Sequence, residues 1–325
     1  MEQNKTAIIF GLGMMGQRHI VGLVRAGFDV VSVPFKTPKD FDNARQKLHK
    51  AGLDSEKLRM IDSPTGVYDV AVFSETAPGR LTNFTNFLRK ATAVKILLEK
   101  PLSADPAEYN HFLSLAHLHG VADITQVNLV RRNWPHVQRL ADMCSLEKQF
   151  TMTLNGGAIG LGCMGIHYLD TFLCLSGNEI PITRWVKLSA EIVKSGRGDY
   201  FKDFGGDFVI EGSRGRLLAS LSAESSANIV MTVRGEHFMA QVDYNEKQWS
   251  IAKRKASSAL PFYRYGTDYE IVEQGPFEIP AMETLTENWA LGRIAMPSLE
   301  QALSAHRLLD EILRFGGAHP PYQFT

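Results

Sequence analysis

Residues 6–16 read TAIIFGLGMMG, a short apolar run followed at once by glycines spaced G-x-G-x-x-G. The next residues, 14–26, have the pattern of an amphipathic helix. A strand, a glycine turn and a helix in this order bring a ligand close to backbone N–H groups at a helix N-terminus, which favours the charge of a pyrophosphate. The segment therefore predicts a dinucleotide site. Its residues are Gly11, Gly13, Met14, Met15 and Gly16.

Outward from this segment, strand and helix patterns alternate through the first third of the chain. The strand candidates are 6–10, 29–33, 58–61, 69–73, 94–98 and 123–127, and the helix candidates are 14–26, 38–51, 78–90 and 104–119. This alternation predicts an α/β fold that begins with a Rossmann domain, a doubly wound parallel sheet.

After about residue 145 the pattern changes to longer β-like runs joined by turns. Phe150, Met152 and Leu154 alternate with polar residues, and a hairpin signal joins 228–233 to 237–244. We predict an NAD(P)-binding domain over 1–125 and a substrate-binding α+β domain over 126–325, built on a large, mostly antiparallel sheet. The helical pattern at about 297–315 is expected to pack back on the first domain.

Composition limits the classes of partner. The 325 residues carry 35 Lys plus Arg against 35 Asp plus Glu, which removes the electrostatic reason to expect nucleic acid or an anionic membrane. No apolar stretch approaches the ~20 residues of a membrane helix. The three cysteines form neither a disulfide framework nor a spaced metal site, so we expect a cytoplasmic protein without a metal.

The end of the second strand bears on the choice of cofactor, because an acid there accepts a hydrogen bond from the ribose 2′-hydroxyl of NAD. This chain has no acid at that point and carries Lys36 and Thr37 instead. A lysine suits a 2′-phosphate, so NADP is the expected cofactor, with NAD possible.

A family resemblance rests on three further segments. Glu99-Lys100-Pro101 ends the fifth strand, NLVRRNWP (128–135) follows the sixth, and 165–170 read GIHYLD. In this order they resemble the glucose–fructose oxidoreductase/inositol dehydrogenase/MocA family. The resemblance covers nearly the whole chain and implies pyridine-nucleotide redox chemistry on sugars, polyols or related hydroxy compounds.

The resemblance also supplies the remaining site residues. Thr76, Glu99 and Lys100 join the expected cofactor site, while Lys100, Asn128, Arg132, Cys163, His167, Tyr168 and Asp170 form the expected substrate site. Cys163 stands where relatives carry an Asp, and a thiol does not replace a carboxylate at neutral pH.

Lys100 and His167 are the expected catalytic pair. Moving a hydride from a carbinol carbon requires removal of the hydroxyl proton, and either group can take or hold that proton. We assign His167 as acid/base and Lys100 as hydroxyl ligand, although the roles could be exchanged. Asp170 could orient His167 or serve packing. Arg131 and Arg132 could bind an acidic substrate or form an exposed ion pair.

Two functions remain open from the sequence. One is an NAD(P)-dependent dehydrogenase or reductase of a sugar-like CH–OH group; the other is a catalytically silent dinucleotide- or sugar-sensing regulator, which the substitution at Cys163 keeps open. The resemblance implies a homodimer or homotetramer formed by the second sheet. Alternating Ile229, Met231 and Val233 supply possible contacts there.

Overall fold

A computed structural model describes residues 5–33, 38–157, 159–194, 200–261 and 268–324. Its first sheet has six parallel strands in the order β3-β2-β1-β4-β5-β6. The strands are β1 Thr6–Phe10, β2 Asp29–Ser32, β3 Leu58–Met60, β4 Gly66–Phe73, β5 Ala91–Leu98 and β6 Thr125–Val127. This is the order of the dinucleotide-binding fold, so the predicted Rossmann domain is confirmed.

Four helices follow strands of this sheet. They are α1 Met14–Arg25, α2 Pro38–Lys50, α3 Arg80–Lys90 and α4 Tyr109–Leu118. The helix expected over 104–119 starts later than predicted, because a 3₁₀ turn over Pro106–Glu108 precedes it. The Asp105 side chain accepts the N–H of Ala107 and so caps that turn.

The second sheet has eight strands in the described residues, in the order β14-β13-β12-β11-β7-β10-β9-β8. Only β7 and β10 run parallel in it, which confirms a mostly antiparallel second domain. The strands are β7 Phe150–Gly157, β8 Ile182–Lys194, β9 Lys202–Glu211, β10 Gly215–Ser222, β11 Val230–Arg234, β12 Phe238–Asp243, β13 Gln248–Arg254 and β14 Tyr269–Pro276.

The register of this sheet corrects one expectation. Met152 pairs with Val233 on one side and Leu217 on the other, and all three side chains are buried in the chain's own core. Met231 is likewise buried. Because paired residues of neighbouring strands share a face, Met231 and Val233 point into the protein and are not available for contact between subunits. The opposite face carries the exposed Leu218.

Four further helices complete the second part of the chain. They are α5 Pro135–Ser145, α6 Ile166–Leu175, α7 Met282–Ala290 and α8 Leu299–Phe315. Helix α8 begins with a capping box, in which the Ser298 hydroxyl accepts the N–H of Gln301 and the Gln301 side chain accepts the N–H of Ser298. Helix α8 contacts α4 and β6 as well as α6 and β8.

Helix α7 packs closely on α1, and the sequence reasoning did not predict it. A Cβ at Gly22 of α1 would stand 2.4 Å from the carbonyl oxygen of Glu283, so a glycine is required for this contact. Within the described ranges, none of the helices has the combination of length and apolarity that a membrane span requires.

Candidate active site

The glycine loop between β1 and α1 uses its three glycines differently. Gly11 has φ +90°, and a Cβ there would stand 2.5 Å from the backbone nitrogen of Glu75. A Cβ at Gly16 would stand 2.0 Å from the carbonyl oxygen of Gly11. These two glycines therefore allow the loop to fold against itself and β4. Gly13 differs, because a Cβ there would meet no atom within 4 Å.

The open space at Gly13 lies at the N-cap of α1. No side chain caps this helix end, and no acidic residue occupies its first turn. The first N–H groups of a helix have no partner within the helix and attract anions. The loop thus has the open space and the uncapped helix end that the predicted pyrophosphate site at Gly13, Met14 and Met15 requires.

A cleft of about 720 Å³ opens beside this loop. Its wall includes ten of the residues assigned from the sequence. They are Gly11, Gly13, Met14, Met15, Thr76, Glu99, Lys100, Asn128, Cys163 and His167. Lys36 and Thr37, which the cofactor preference rests on, lie outside the described residues.

Lys100 lies where β5 leaves the sheet, and its peptide bond to Pro101 is cis. Its ammonium donates to the carbonyl oxygen of Cys163 at 2.5 Å, which connects the first domain to the turn before α6. The carboxyl end of a central parallel strand is where sheets of this kind bind ligands. Lys100 thus reaches across the cleft to the side that carries Cys163 and His167.

Both carboxylate oxygens of Glu99, the residue before that lysine, take part in hydrogen bonds. One oxygen lies 2.9 Å from Nε2 of His19 and also accepts the amide of Asn128, while the other accepts the N–H of Lys100. Burial alone would raise the pKa of Glu99, but the hydrogen bond and charge of His19 bring it below its usual value. Glu99 therefore remains a carboxylate that holds the lysine turn. The sequence assigned Glu99 to the cofactor site but missed His19, which lies one helical turn after Gly16 on α1.

Arg80 supports the same turn from the other side. Its buried guanidinium donates to the backbone carbonyls of Glu75, Glu99, Pro101 and Leu102. These bonds replace the ladder bonds that the chain loses where it leaves β4 and β5. The sequence reasoning missed Arg80, since a single arginine at a helix start carries no distinguishing pattern.

His167 stands in the first turn of α6, directly after a π-helical turn over Leu161–Gly165. Burial, followed by the charges of Lys100 and Arg131, lowers its pKa well below the usual value. The imidazole is therefore neutral near pH 7 and able to accept a proton. Its Nδ1 is buried and has no hydrogen-bond partner among the described residues.

Glu75 is a further acid at the cofactor side of the cleft that the sequence reasoning did not single out. Burial raises its pKa to about 7, an effect that the charge of Arg80 only partly offsets. Its Oε1 accepts the amide of Asn83 at 3.3 Å, and its backbone lies against Gly11. Near neutral pH this carboxyl exists in both charge states beside the expected pyrophosphate.

Three residues assigned to the substrate site, Arg132, Tyr168 and Asp170, are not among those that line the cleft. Asp170 accepts bonds from Nε and Nη2 of Arg132 at 2.7–2.9 Å, and Arg132 also donates to Asn178. Both carboxylate oxygens thus bind Arg132. Of the two roles that the sequence left open for Asp170, orienting His167 or packing, these bonds favour the packing role.

Tyr168 is buried beneath Arg131, whose guanidinium carbon lies 3.9 Å from the ring centroid. The same guanidinium lies 5.0 Å from the ring of Trp134 and 5.3 Å from that of Tyr244. Arg131 is therefore held by aromatic rings, and Arg132 by a carboxylate. Neither forms the exposed pair that the sequence left open.

Comparison with known proteins gives structural matches alone. No protein-family model matches the sequence, and no curated protein matches it significantly. UDP-N-acetylglucosamine 3-dehydrogenase GnnA from Acidithiobacillus ferrooxidans superposes with a TM-score of 0.67 at 14% identity, covering 95% of this chain and 97% of that one. GenD2 from gentamicin A biosynthesis, solved in complex with NAD, gives 0.65 at 15% identity, covering 98% and 95%.

The chain has the two-domain fold of the glucose–fructose oxidoreductase/inositol dehydrogenase/MocA family. The resemblance read from the sequence motifs is thus confirmed for the fold. A super-repressor mutant of Gal80p from Saccharomyces cerevisiae also matches, with a TM-score of 0.68 at 12% identity over 97% of this chain and 96% of that one. The fold alone therefore does not separate an enzyme from a regulator.

Proposed function

We propose that this protein is an NAD(P)-dependent oxidoreductase that transfers a hydride between nicotinamide and the hydroxyl or keto carbon of a sugar, polyol or sugar derivative. One observation carries the proposal. Lys100 of the first domain and His167 of the second line the same cleft as the glycine loop. A dinucleotide site and two groups able to handle a proton thus share one cavity, of a volume typical for small-molecule sites.

In the oxidative direction the substrate hydroxyl gives its proton to the neutral imidazole of His167. The low pKa of His167 keeps it in the accepting form near pH 7, with burial as the main cause. The Lys100 ammonium donates to the same oxygen and stabilises the negative charge that develops there. A nicotinamide bound in the cleft would supply the hydride acceptor. In the reverse direction, protonated His167 would return the proton to the same oxygen.

The cofactor preference rests on the sequence at Lys36 and Thr37. We propose that NADP binds more tightly than NAD because a lysine supplies charge to the 2′-phosphate. Titration of both cofactors into wild type and Lys36→Ala measures this preference. A Lys36→Ala protein with the wild-type preference would exclude Lys36 as its source.

The decisive experiment is a panel of sugars, sugar acids, polyols and nucleotide sugars, followed by nicotinamide absorbance in both directions. Lys100→Met and His167→Asn should each lower kcat about 100-fold or more, with little change in cofactor affinity. Lys90→Met and His119→Asn are matched exposed controls and should turn over as wild type does.

Two outcomes would contradict the proposal. Undiminished turnover in both Lys100→Met and His167→Asn would place the chemistry elsewhere. Cofactor binding without turnover of any compound in the panel would favour the hypothesis of a catalytically silent regulator. Cys163, standing where relatives carry an acid, and the structural likeness to Gal80p are the observations behind that hypothesis.

A further inference from the structure

We propose that Asp203 is the positioning carboxylate of this active site. It fixes the backbone of Cys163, whose carbonyl oxygen accepts the Lys100 ammonium, and it supplies negative charge beside that ammonium. The inference rests on the proposed function, since Lys100 is taken as a reacting group. Asp203 lies on β9, 40 residues after Cys163, and belongs to none of the motifs that identified the site.

The hydrogen bonds of Asp203 are directed at the turn before α6. One oxygen accepts the backbone N–H groups of Gly162 and Phe204, each at 2.8 Å, and the other accepts that of Cys163 at 2.7 Å. The residue is 6% exposed. A buried carboxyl group whose two oxygens both accept N–H bonds is in the arrangement that favours its ionised form.

The same turn receives Lys100 on its opposite side. Cys163 gives its N–H to Asp203 and accepts the Lys100 ammonium on its carbonyl oxygen at 2.5 Å. One residue therefore connects the carboxylate to the lysine. The charge of Lys100 in turn stabilises the ionised form of Asp203, while burial is the dominant influence and raises the pKa of Asp203.

The Asp203 carboxylate occupies space that a side chain at Gly160 would need. A Cβ at Gly160 would stand 2.0 Å from Oδ2 of Asp203, although Gly160 has backbone angles that any residue adopts. A Cβ at Gly162 would stand 2.4 Å from the ring of Phe324. Gly160 is thus a glycine because the Asp203 carboxylate occupies the space that its side chain would need.

Asp203 is one of several titratable groups that interact electrostatically with Lys100. They are Glu99 at the end of β5, His167 on α6, His306 on α8 and Asp203 on β9. Glu99 already binds His19 and Asn128. Asp203 is therefore the carboxylate that the second domain brings to this lysine.

The test follows Lys100 itself and requires no substrate. Competitive acetylation with acetic anhydride, read by mass spectrometry across a pH series, gives the pH midpoint at which the Lys100 amine becomes reactive. In Asp203→Asn this midpoint should fall by about one pH unit, because an ammonium that loses a neighbouring negative charge releases its proton more readily. Asp207→Asn, on the same strand, is the matched control and should leave the midpoint unchanged.

An unchanged midpoint in folded Asp203→Asn would overturn the inference, and so would an equal fall in Asp207→Asn. Gly160→Ala gives a second route, since it displaces the Asp203 carboxylate without removing it. It should lower the Lys100 midpoint as Asp203→Asn does, and a wild-type midpoint there would count against the inference.

If Asp203→Asn and Gly160→Ala both fail to fold, the interaction between Asp203 and Lys100 is measured in a Lys100 variant instead. The carboxyl ¹³C resonance of Asp203 should titrate at higher pH in Lys100→Met than in wild type, and an identical titration would overturn the inference.

Turnover separates this inference from the proposed function. If the function is right, Asp203→Asn lowers kcat and moves the pH profile in the same direction as the acetylation midpoint, while cofactor affinity stays near the wild-type value. If wild type shows no turnover at all, the proposed function fails, and the acetylation result still decides whether Asp203 acts on Lys100.

Discussion

We predict that Glu75 makes dinucleotide binding depend on pH and that Glu75→Gln removes this dependence. The carboxyl lines the cleft and its backbone lies against Gly11 of the glycine loop. Burial raises its pKa to about 7, so it is mostly neutral at pH 6 and mostly charged at pH 8. A bound pyrophosphate repels the charged form, so binding favours the protonated carboxyl and weakens as the pH rises.

The size of the effect follows from that pKa. About one carboxyl in eleven is ionised at pH 6 and about ten in eleven at pH 8 in the free protein. If the bound pyrophosphate keeps Glu75 neutral throughout this range, Kd rises about tenfold between pH 6 and pH 8. Glu75→Gln keeps an oxygen for the Asn83 amide but carries no titrating group, so its Kd should stay nearly constant.

The assay is a fluorescence titration with NADH at pH 6, 7 and 8. NADH is preferable to NADPH here, because a phosphate monoester itself titrates near pH 6. Asp40→Asn, which removes another acid of the cleft wall, is the control and should keep the wild-type pH dependence. A flat wild-type pH profile, or an unchanged slope in Glu75→Gln, would show that the Glu75 charge does not control dinucleotide binding.

Three other predictions concern the loop, its support and assembly. Gly13→Val should weaken NADPH binding at least about tenfold with little change in Tm, because the valine side chain fills the open space at the helix N-terminus. Gly16→Ala should instead lower Tm, because its Cβ clashes with the carbonyl oxygen of Gly11. Wild-type affinity in Gly13→Val by titration would contradict the first part. Arg80→Met should lose about 3 kcal/mol or more of unfolding free energy in urea, since it leaves four backbone carbonyls without their donor, and Arg89→Met on the same helix should lose little. Equal losses of unfolding free energy in the two variants would argue against a stabilising role for the Arg80 hydrogen bonds. The resemblance predicts a homo-oligomer, and we propose the exposed face of the second sheet, which carries Leu218, as its contact surface. Light scattering should show a dimer or tetramer that Leu218→Asp weakens, and a wild-type monomer at micromolar concentration would exclude the oligomer.

The glycine loop and the two catalytic candidates could be predicted because their signals are local. The apolar run before Gly11, the strand ending at Lys100 and the short motif around His167 each lie in one continuous segment. Parallel strands of a doubly wound sheet end at one edge, so Gly11 and Lys100 had to meet there. The order of the motifs supplied His167 through the family resemblance.

The supporting residues could not be predicted because they come from distant segments. Asp203 reaches the turn at Cys163 from another strand, and Arg80 binds carbonyls of two different loops. Backbone acceptors leave no trace in side-chain patterns. Such partners become visible only when the packing is known.

The sequence also could not show which face of the second sheet is buried. Alternation shows that Met231 and Val233 share a face, but it does not show which face the helices cover. The structure places both in the core. Helix α7 was missed for a related reason, because its nine residues give only a short periodic signal before the Gly292 that follows.

We expect this cleft to move a hydride between nicotinamide and a sugar-like carbon, with Lys100 and His167 handling the proton. The most direct measurement uses NADPH deuterated at C4 with a panel of keto-sugars and follows deuterium into the product by mass spectrometry. Wild type should place a carbon-bound deuterium in at least one product, and the rate of label transfer should be at least about 100-fold lower in Lys100→Met and in His167→Asn. Bound cofactor with no label in any product, or equal labelling by wild type and both variants, would contradict it.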